Sequence, residues 1–161
     1  MDNIIKVGMA DLQSARHPCI ITTLGLGSCV GVALYDSSKK IAGLAHIMLP
    51  SSTQARNNGN VAKFADTAIA KLVDDMIMLG ASKANIVAKL AGGAQMFQFS
   101  NASEMMRIGL RNVAAVKEML SQLRIPIIAE DTGGNYGRTI EINSENGALL
   151  IKTIGHGVKE I

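Results

Sequence analysis

Two neighbouring stretches, CVGVALYD (29–36) and IAGLAHIML (41–49), are apolar at odd and even positions alike. A strand with one wet face alternates apolar and polar residues, so strands like these must be covered on both faces. Only SSKK (37–40) separates them, which makes them a hairpin. A hairpin covered on both sides needs one layer of structure above it and another below. That requirement bounds the fold more tightly than any other feature of the chain.

The remaining sequence supplies both layers. Residues 4–12 and 19–25 are rich in Ile, Val and Thr and read as strands. So do 84–91, 126–130, 138–143 and 148–154, the last two joined around SENG. SSTQARNNGN (51–60) reads as a mobile loop and DTGGNYG (131–137) as another. Val61, Ala65, Ala68, Leu72, Met76 and Leu79 recur at helical spacing before Gly80, which predicts a helix over about 61–79. A second helix is expected over about 109–123, with Pro126 preventing its continuation. Helices and strands do not alternate strictly, so the expected fold is α+β: packed mixed or antiparallel β-sheets flanked by two main helices. The 161 residues suit one domain, 1–161.

The hairpin also brings two reactive side chains together. If Ser37–Ser38 is a two-residue turn, Cys29 lies opposite His46. If all four residues form the loop, Gly31 lies opposite His46, with Cys29 one diagonal step away on the same face. Either even-length turn leaves thiol and imidazole within side-chain reach, and an odd one separates them unless a bulge restores the phase. A thiolate beside an imidazolium has a lowered pKa and is a competent nucleophile. The turn GLGSC (25–29) gives access, and backbone N–H groups at Gly27 and Ser28 are placed to stabilise an oxyanion. A hydroxyl or carbonyl of Thr22 or Thr23 is available to orient the ring.

Other chemistries fit less well. Gly25, Gly27 and Gly31 lack the dinucleotide-binding spacing and lead into a strand rather than a helix. A serine elbow would need glycine where Val30 stands. His17, Cys19, Cys29 and His46 lack the paired short spacing of zinc sites, so no metal is expected. Cys19, after Pro18, reads as a buried inert thiol. GGNYG (133–137) beside Arg138 is an anion-wrapping loop or a plain connection, and composition favours the connection. The net charge of +3 is mild and scattered, which gives nucleic-acid binding little support. No apolar run approaches the roughly 20 residues of a membrane helix. Two cysteines and no secretory signal pattern point to a reducing compartment, most simply the cytoplasm.

Taken together, TTLGLGSCVGVALYD (22–36), GLAHIMLP (43–50), KFADTAIAKLV (63–73), AKLAGGAQMF (88–97), IGLRNVAAV (108–116) and AEDTGGNYGRT (129–139) resemble the CheD family, the chemoreceptor glutamine deamidases of bacterial chemotaxis. The resemblance runs in the family's order over nearly the whole chain, although QFSNASEMMR (98–107) is long beside the family pattern. It implies Cys29 as nucleophile, His46 as general base and acid, and Thr23 as the third member. It implies a fold similar to the catalytic domain of the cytotoxic necrotizing factor toxins. The implied substrates are glutamines on the cytoplasmic helical bundle of chemoreceptors. The implied partner is the CheC-type phosphatase of the phosphorylated response regulator. No metal, nucleotide or organic cofactor is required. Loop 51–60 is expected to shape the receptor groove, and Gly92, Gly93, Gly133 and Gly134 to line the cleft. The alternatives are a module that docks on the phosphatase and tunes it, and, more distantly, a transglutaminase-like enzyme.

Overall fold

The computed structural model describes residues 3–54, 59–95 and 107–161. The apolar hairpin is formed by β4 (Val30–Asp36) and β5 (Ile41–Ile47), every residue of which is buried. Asp36 pairs with Ile41 and Gly31 with His46, so the connection is the four-residue loop. Asp36 explains the length. Its carboxylate accepts hydrogen bonds from the Ser38 N–H and O–H and the Lys39 N–H, and Lys40 closes the turn at a φ of 53°.

This hairpin is central to a five-stranded sheet ordered β2-β5-β4-β6-β7, completed by β2 (Leu12–Arg16), β6 (Ile86–Gly92) and β7 (Ile127–Thr132). A second sheet is ordered β1-β3-β8-β9-β10. Its strands are β1 (Asn3–Val7), β3 (Cys19–Leu26), β8 (Arg138–Asn143), β9 (Leu149–Thr153) and β10 (Gly157–Glu160). Pairing is antiparallel except for β1 with β3 and β6 with β7. Two helices complete the layers, α1 (Ala65–Met78) and α2 (Ile108–Gln122).

Period-two alternation sorts the hairpin between the layers. Val32, Leu34, Ala45 and Ile47 pack with Ile69, Leu72 and Val116 of the helices. Ala33, Tyr35, Ala42 and Leu44 pack instead with Ile21, Ile140, Ile142 and Ile151 of the second sheet. The molecule is therefore sheet on sheet on helices, the two-sided cover the hairpin demanded. His46 shares its parity with Ala42 and Leu44 and so faces the space between the sheets.

Several boundaries differ from expectation. The stretch 4–12 is two strands: β1 ends at Val7, the chain turns at Met9–Ala10 with Ala10 at a φ of 57°, and β2 joins the other sheet. Two short strands around a tight corner carry the same apolar pattern as one long one. The first helix starts at Ala65, not 61. Val61–Lys63 form a 3-10 turn, and Phe64 is extended because it bridges Leu49 in parallel. Within 51–60, Ser52–Gln54 form another 3-10 turn, tied by the Ser52 N–H and O–H to the Asp66 carboxylate, while 55–58 lie outside the described residues. The segment 98–107 also lies outside them, apart from Arg107. β7 runs on through Thr132, and β10 was not anticipated because GVKE, exposed throughout, shows no burial pattern. No helix among the described residues is long and apolar enough to cross a membrane.

Candidate active site

Thr23 is the last regularly paired residue of β3 before a bulge. Its ladder with β8 shifts register between Thr23 and Leu26, leaving Leu24 exposed and Gly25 at a φ of 73°. On its other side β3 runs parallel to β1, with Val7 level with Thr23. The Thr23 hydroxyl donates to the Val7 carbonyl at 2.7 Å and lies 2.7 Å from His46 Nδ1. A hydroxyl has one proton, and a carbonyl oxygen can only accept. The proton goes to Val7, so Thr23 accepts from His46 and Nδ1 carries the ring hydrogen. Nε2 is then left with its lone pair. It is buried, with no hydrogen-bond partner among the described residues.

Cys29 sits immediately before β4 and packs in the inter-sheet cluster, 8% exposed. It shares this layer with His46 but makes no hydrogen bond to Nε2 in the resting arrangement. Burial pushes the Cys29 thiol above its ordinary 9.0, only partly offset by its own backbone N–H, and burial holds His46 below its ordinary 6.5. Desolvation between two sheets thus works against both charges of the thiolate–imidazolium pair expected from adjacency.

The turn that carries Cys29 is gripped from behind. The carbonyls of Gly27, Ser28 and Cys29 accept, in order, from the Ala94 N–H at 2.8 Å, Asn112 Nδ2 at 3.0 Å and the Gly93 N–H at 2.8 Å. In a trans peptide the next N–H points opposite to the carbonyl. The Ser28 and Cys29 amides are therefore aimed away from that wall, and among the described residues neither donates to another backbone group. The Gly27 amide, expected as an oxyanion donor, is instead engaged by the Gly25 carbonyl at 3.1 Å.

Of the four glycines expected along the cleft, Gly92 and Gly93 abut this turn and Gly133 and Gly134 lie behind them. Gly92 and Gly93 are buried in its wall, where a Cβ on Gly92 would lie 2.3 Å from the Cys29 carbonyl oxygen. Gly133 and Gly134 form the next tier, through Gly133 N–H to Gly92 O and Gln95 N–H to Gly134 O. Arg138 is turned inward: Nε lies 3.3 Å from Asp131 Oδ2 and the guanidinium sits over the Tyr136 ring. The four residues weighed as a zinc set do not converge. Cys19 is four residues from Thr23 along β3, about 13 Å at the usual strand rise, and His17 bonds Ser144 there instead. Two participants had no place in the sequence reading. The Val7 carbonyl leaves no mark in the sequence. Asn112 does leave one: a carboxamide on the buried stripe of α2 with Gly109, Val116 and Leu120.

A cleft of about 320 Å³ opens on the Val7–Thr23 side of the site, lined by Lys6, Val7, Gly8, Met9, Thr22, Thr23 and Leu24. Cys29, His46 and the four glycines expected along a cleft are not part of its lining.

A family model described as CheD chemotactic sensory transduction matches residues 48–153, beginning just after His46. Relatives extend the similarity over the rest. The probable chemoreceptor glutamine deamidase CheD of Lachnoclostridium phytofermentans is 58% identical over 161 residues, covering 100% of both chains. That of Caldanaerobacter subterraneus subsp. tengcongensis is 59% identical over 158 residues, 98% of each. The chemoreceptor glutamine deamidase CheD of Halalkalibacterium halodurans is 54% identical, again over 100% of each chain. Among solved structures, the Bacillus licheniformis hypothetical protein YfiH matches with a TM-score of 0.50 at 17% identity, over 81% of this chain and 59% of that one. At that identity the likeness concerns the fold alone. With a matching family model over more than half of its residues and relatives more than half identical from end to end, the chain belongs to the CheD family.

Proposed function

We propose that this protein is a cysteine amidohydrolase that converts glutamine side chains of chemoreceptors to glutamate with release of ammonia. The observation that carries the reading is the fixed tautomer of His46. The Val7–Thr23–Nδ1 chain leaves Nε2 as a bare base in the same buried layer as the Cys29 thiol. With both groups neutral at rest, attack and proton transfer are coupled. Nε2 takes the thiol proton as Sγ adds to the carboxamide carbon, and the Ser28 and Cys29 amides receive the developing oxyanion. Amide nitrogen is a poor leaving group, so the imidazolium returns the proton to it as ammonia departs. A thioester on Cys29 remains. His46 then takes a proton from water as its oxygen attacks, and collapse frees glutamate and restores the thiol.

A protein-borne glutamine suits the site better than the free amino acid, since Met9 and Leu24 stand exposed next to Val7 and Thr23 and offer apolar surface to a protein partner. The names of the relatives supply the receptor. A cytoplasmic location, a single domain over 1–161, the toxin-like fold and the CheC-type phosphatase partner belong to the same reading, on the strength of the family.

The test incubates receptor cytoplasmic fragments with wild type and with Cys29→Ala and follows the mass of receptor peptides. Wild type should add about one dalton per modified glutamine and Cys29→Ala none. No gain with wild type sinks the deamidase, and phosphatase binding without turnover then favours the docking module. An equal gain with Cys29→Ala removes the assigned nucleophile, and a larger, amine-dependent gain identifies a transglutaminase.

A further inference from the structure

Asn112 is fully buried in α2, and its carboxamide nitrogen donates to two carbonyls that flank different strands. One is Ser28, in the turn before β4, at 3.0 Å, and the other is Met48, just past the end of β5, at 2.9 Å. Ser28 immediately precedes the thiol-bearing residue, and Met48 lies two residues beyond His46. We infer that Asn112 is a positioning residue which, through its two donated hydrogen bonds, sets the Ser28–Cys29 peptide plane and holds the Cys29 turn in register with the strand that carries His46. The inference rests on the cysteine amidohydrolase reading for its catalytic consequence.

Three features support it. Turning the carboxamide over would set its oxygen against two carbonyl oxygens, so the orientation is determined by its partners. Its own Oδ1 is buried with no partner among the described residues, an unfavourable arrangement that an apolar residue at the same place on the helix would avoid. Ordinary packing of α2 therefore does not account for an asparagine here, whereas a need for two adjacent donors does. Finally, the bond to Ser28 O acts on the next amide, because the peptide unit is planar. Fixing that oxygen fixes the direction of the Cys29 N–H, the group that favours the thiolate and faces the site of the oxyanion.

The test uses the full chain with Asn112→Ala and Asn112→Ser, the latter retaining one donor. With receptor fragments, Asn112→Ala should lower kcat on the order of 10- to 100-fold with KM changed less than about 2-fold, and Asn112→Ser should recover part of the loss. Iodoacetamide labelling of the Cys29 peptide, followed by mass spectrometry, needs no receptor. Its rate at about pH 8 should fall several-fold in Asn112→Ala, and its pH profile should move to higher pH. A labelling profile superimposed on wild type, or a kcat that falls only with the folded fraction measured by circular dichroism, overturns the inference. Should neither variant fold, wild type decides by NMR. The Asn112 carboxamide protons should exchange slowly and shift when Cys29 is alkylated, and fast exchange or no shift overturns it. If wild type fails to deamidate receptor but the labelling and exchange results hold, the assigned reaction fails and the positioning role stands.

Discussion

Thr23 has one hydroxyl proton and two neighbours able to take it, the Val7 carbonyl and the His46 ring. Only the carbonyl has no other option, and this asymmetry chooses the tautomer of a histidine one sheet away. Thr23→Val keeps the shape and removes the oxygen. The buried Nδ1–H then loses its acceptor and the Val7 carbonyl loses one donor, at a cost of about 1–3 kcal/mol. The ring is also free to move its proton to Nε2, where it can no longer act as a base. Where a carboxylate sets the tautomer, losing it costs on the order of 10⁴ in rate. A neutral hydroxyl constrains the ring less, so a fall in kcat of about 10- to 100-fold is expected, with recovery in Thr23→Ser. Receptor-peptide mass spectrometry under single-turnover conditions measures it, and a Thr23→Val rate within a factor of about two of wild type would falsify the tautomer argument. Thr23 itself was visible in the sequence through its place in TTLGLGSC, but the direction of its proton depends on a carbonyl that no side-chain pattern encodes.

Among the elements, the central hairpin was the most legible. Its two-sided apolar runs required cover from both layers, and the two even-length turns both brought Cys29 towards His46. Choosing between them needed the Asp36 carboxylate, which gathers three donors and opens the turn to four residues. The stretch 4–12 has the pattern of one strand and folds as two, because periodicity reports alternation along a strand but not which sheet receives it. The wall behind Cys29 was legible only as glycines. Gly92 sits at a φ of 106°, and an added Cβ would meet the Cys29 carbonyl oxygen at 2.3 Å, a backbone atom that cannot swing aside. Gly92→Ala should therefore push the nucleophile forward as well as strain β6. The backbone strain is worth about 1–3 kcal/mol, and each kcal/mol lowers Tm by roughly 2–4 °C in a chain of this size. The activity per folded molecule should fall too. Gly155→Ala is the comparison, with a positive φ of 81° and open space around it, in the turn between β9 and β10. It should lower Tm and leave kcat alone. Equal kcat values in the two variants would show that the close approach at Gly92 does not position Cys29.

At the scale of the whole molecule, the site lies where two sheets meet, and the same burial that opposes a charge on His46 makes folding depend on pH. As the pH falls below 6.5, the ordinary value for histidine, the unfolded chain takes up a proton that the buried ring resists. The contribution of His46 to stability is therefore fully present above 6.5 and is lost as the pH falls towards its depressed native value. Cys29 acts on the opposite side. Its raised native pKa gives a contribution that is present below 9.0 and is lost as the pH climbs through the raised value. Asp36 adds a third, more acidic limb. Burial alone would push it up, but hydrogen bonds from the Ser38 side chain and the Ser82, Lys39 and Ser38 amides outweigh that and hold it below 3.8. Its contribution is present above 3.8 and is lost in stronger acid, in wild type and variants alike. Urea unfolding of wild type and His46→Gln, from about pH 5 to about pH 8, separates the first limb from the others. The difference in midpoint should stay constant above about pH 7.5 and then move steadily against wild type as the pH drops through 6.5. Cys29→Ala should keep that acid limb and, when the urea series is carried above 9.0, lose the alkaline one. Parallel curves for wild type and His46→Gln across the acid range would mean that the ring accepts its proton in the folded protein as readily as in the unfolded chain, and the neutral resting pair, with the coupled attack built on it, would have to be abandoned.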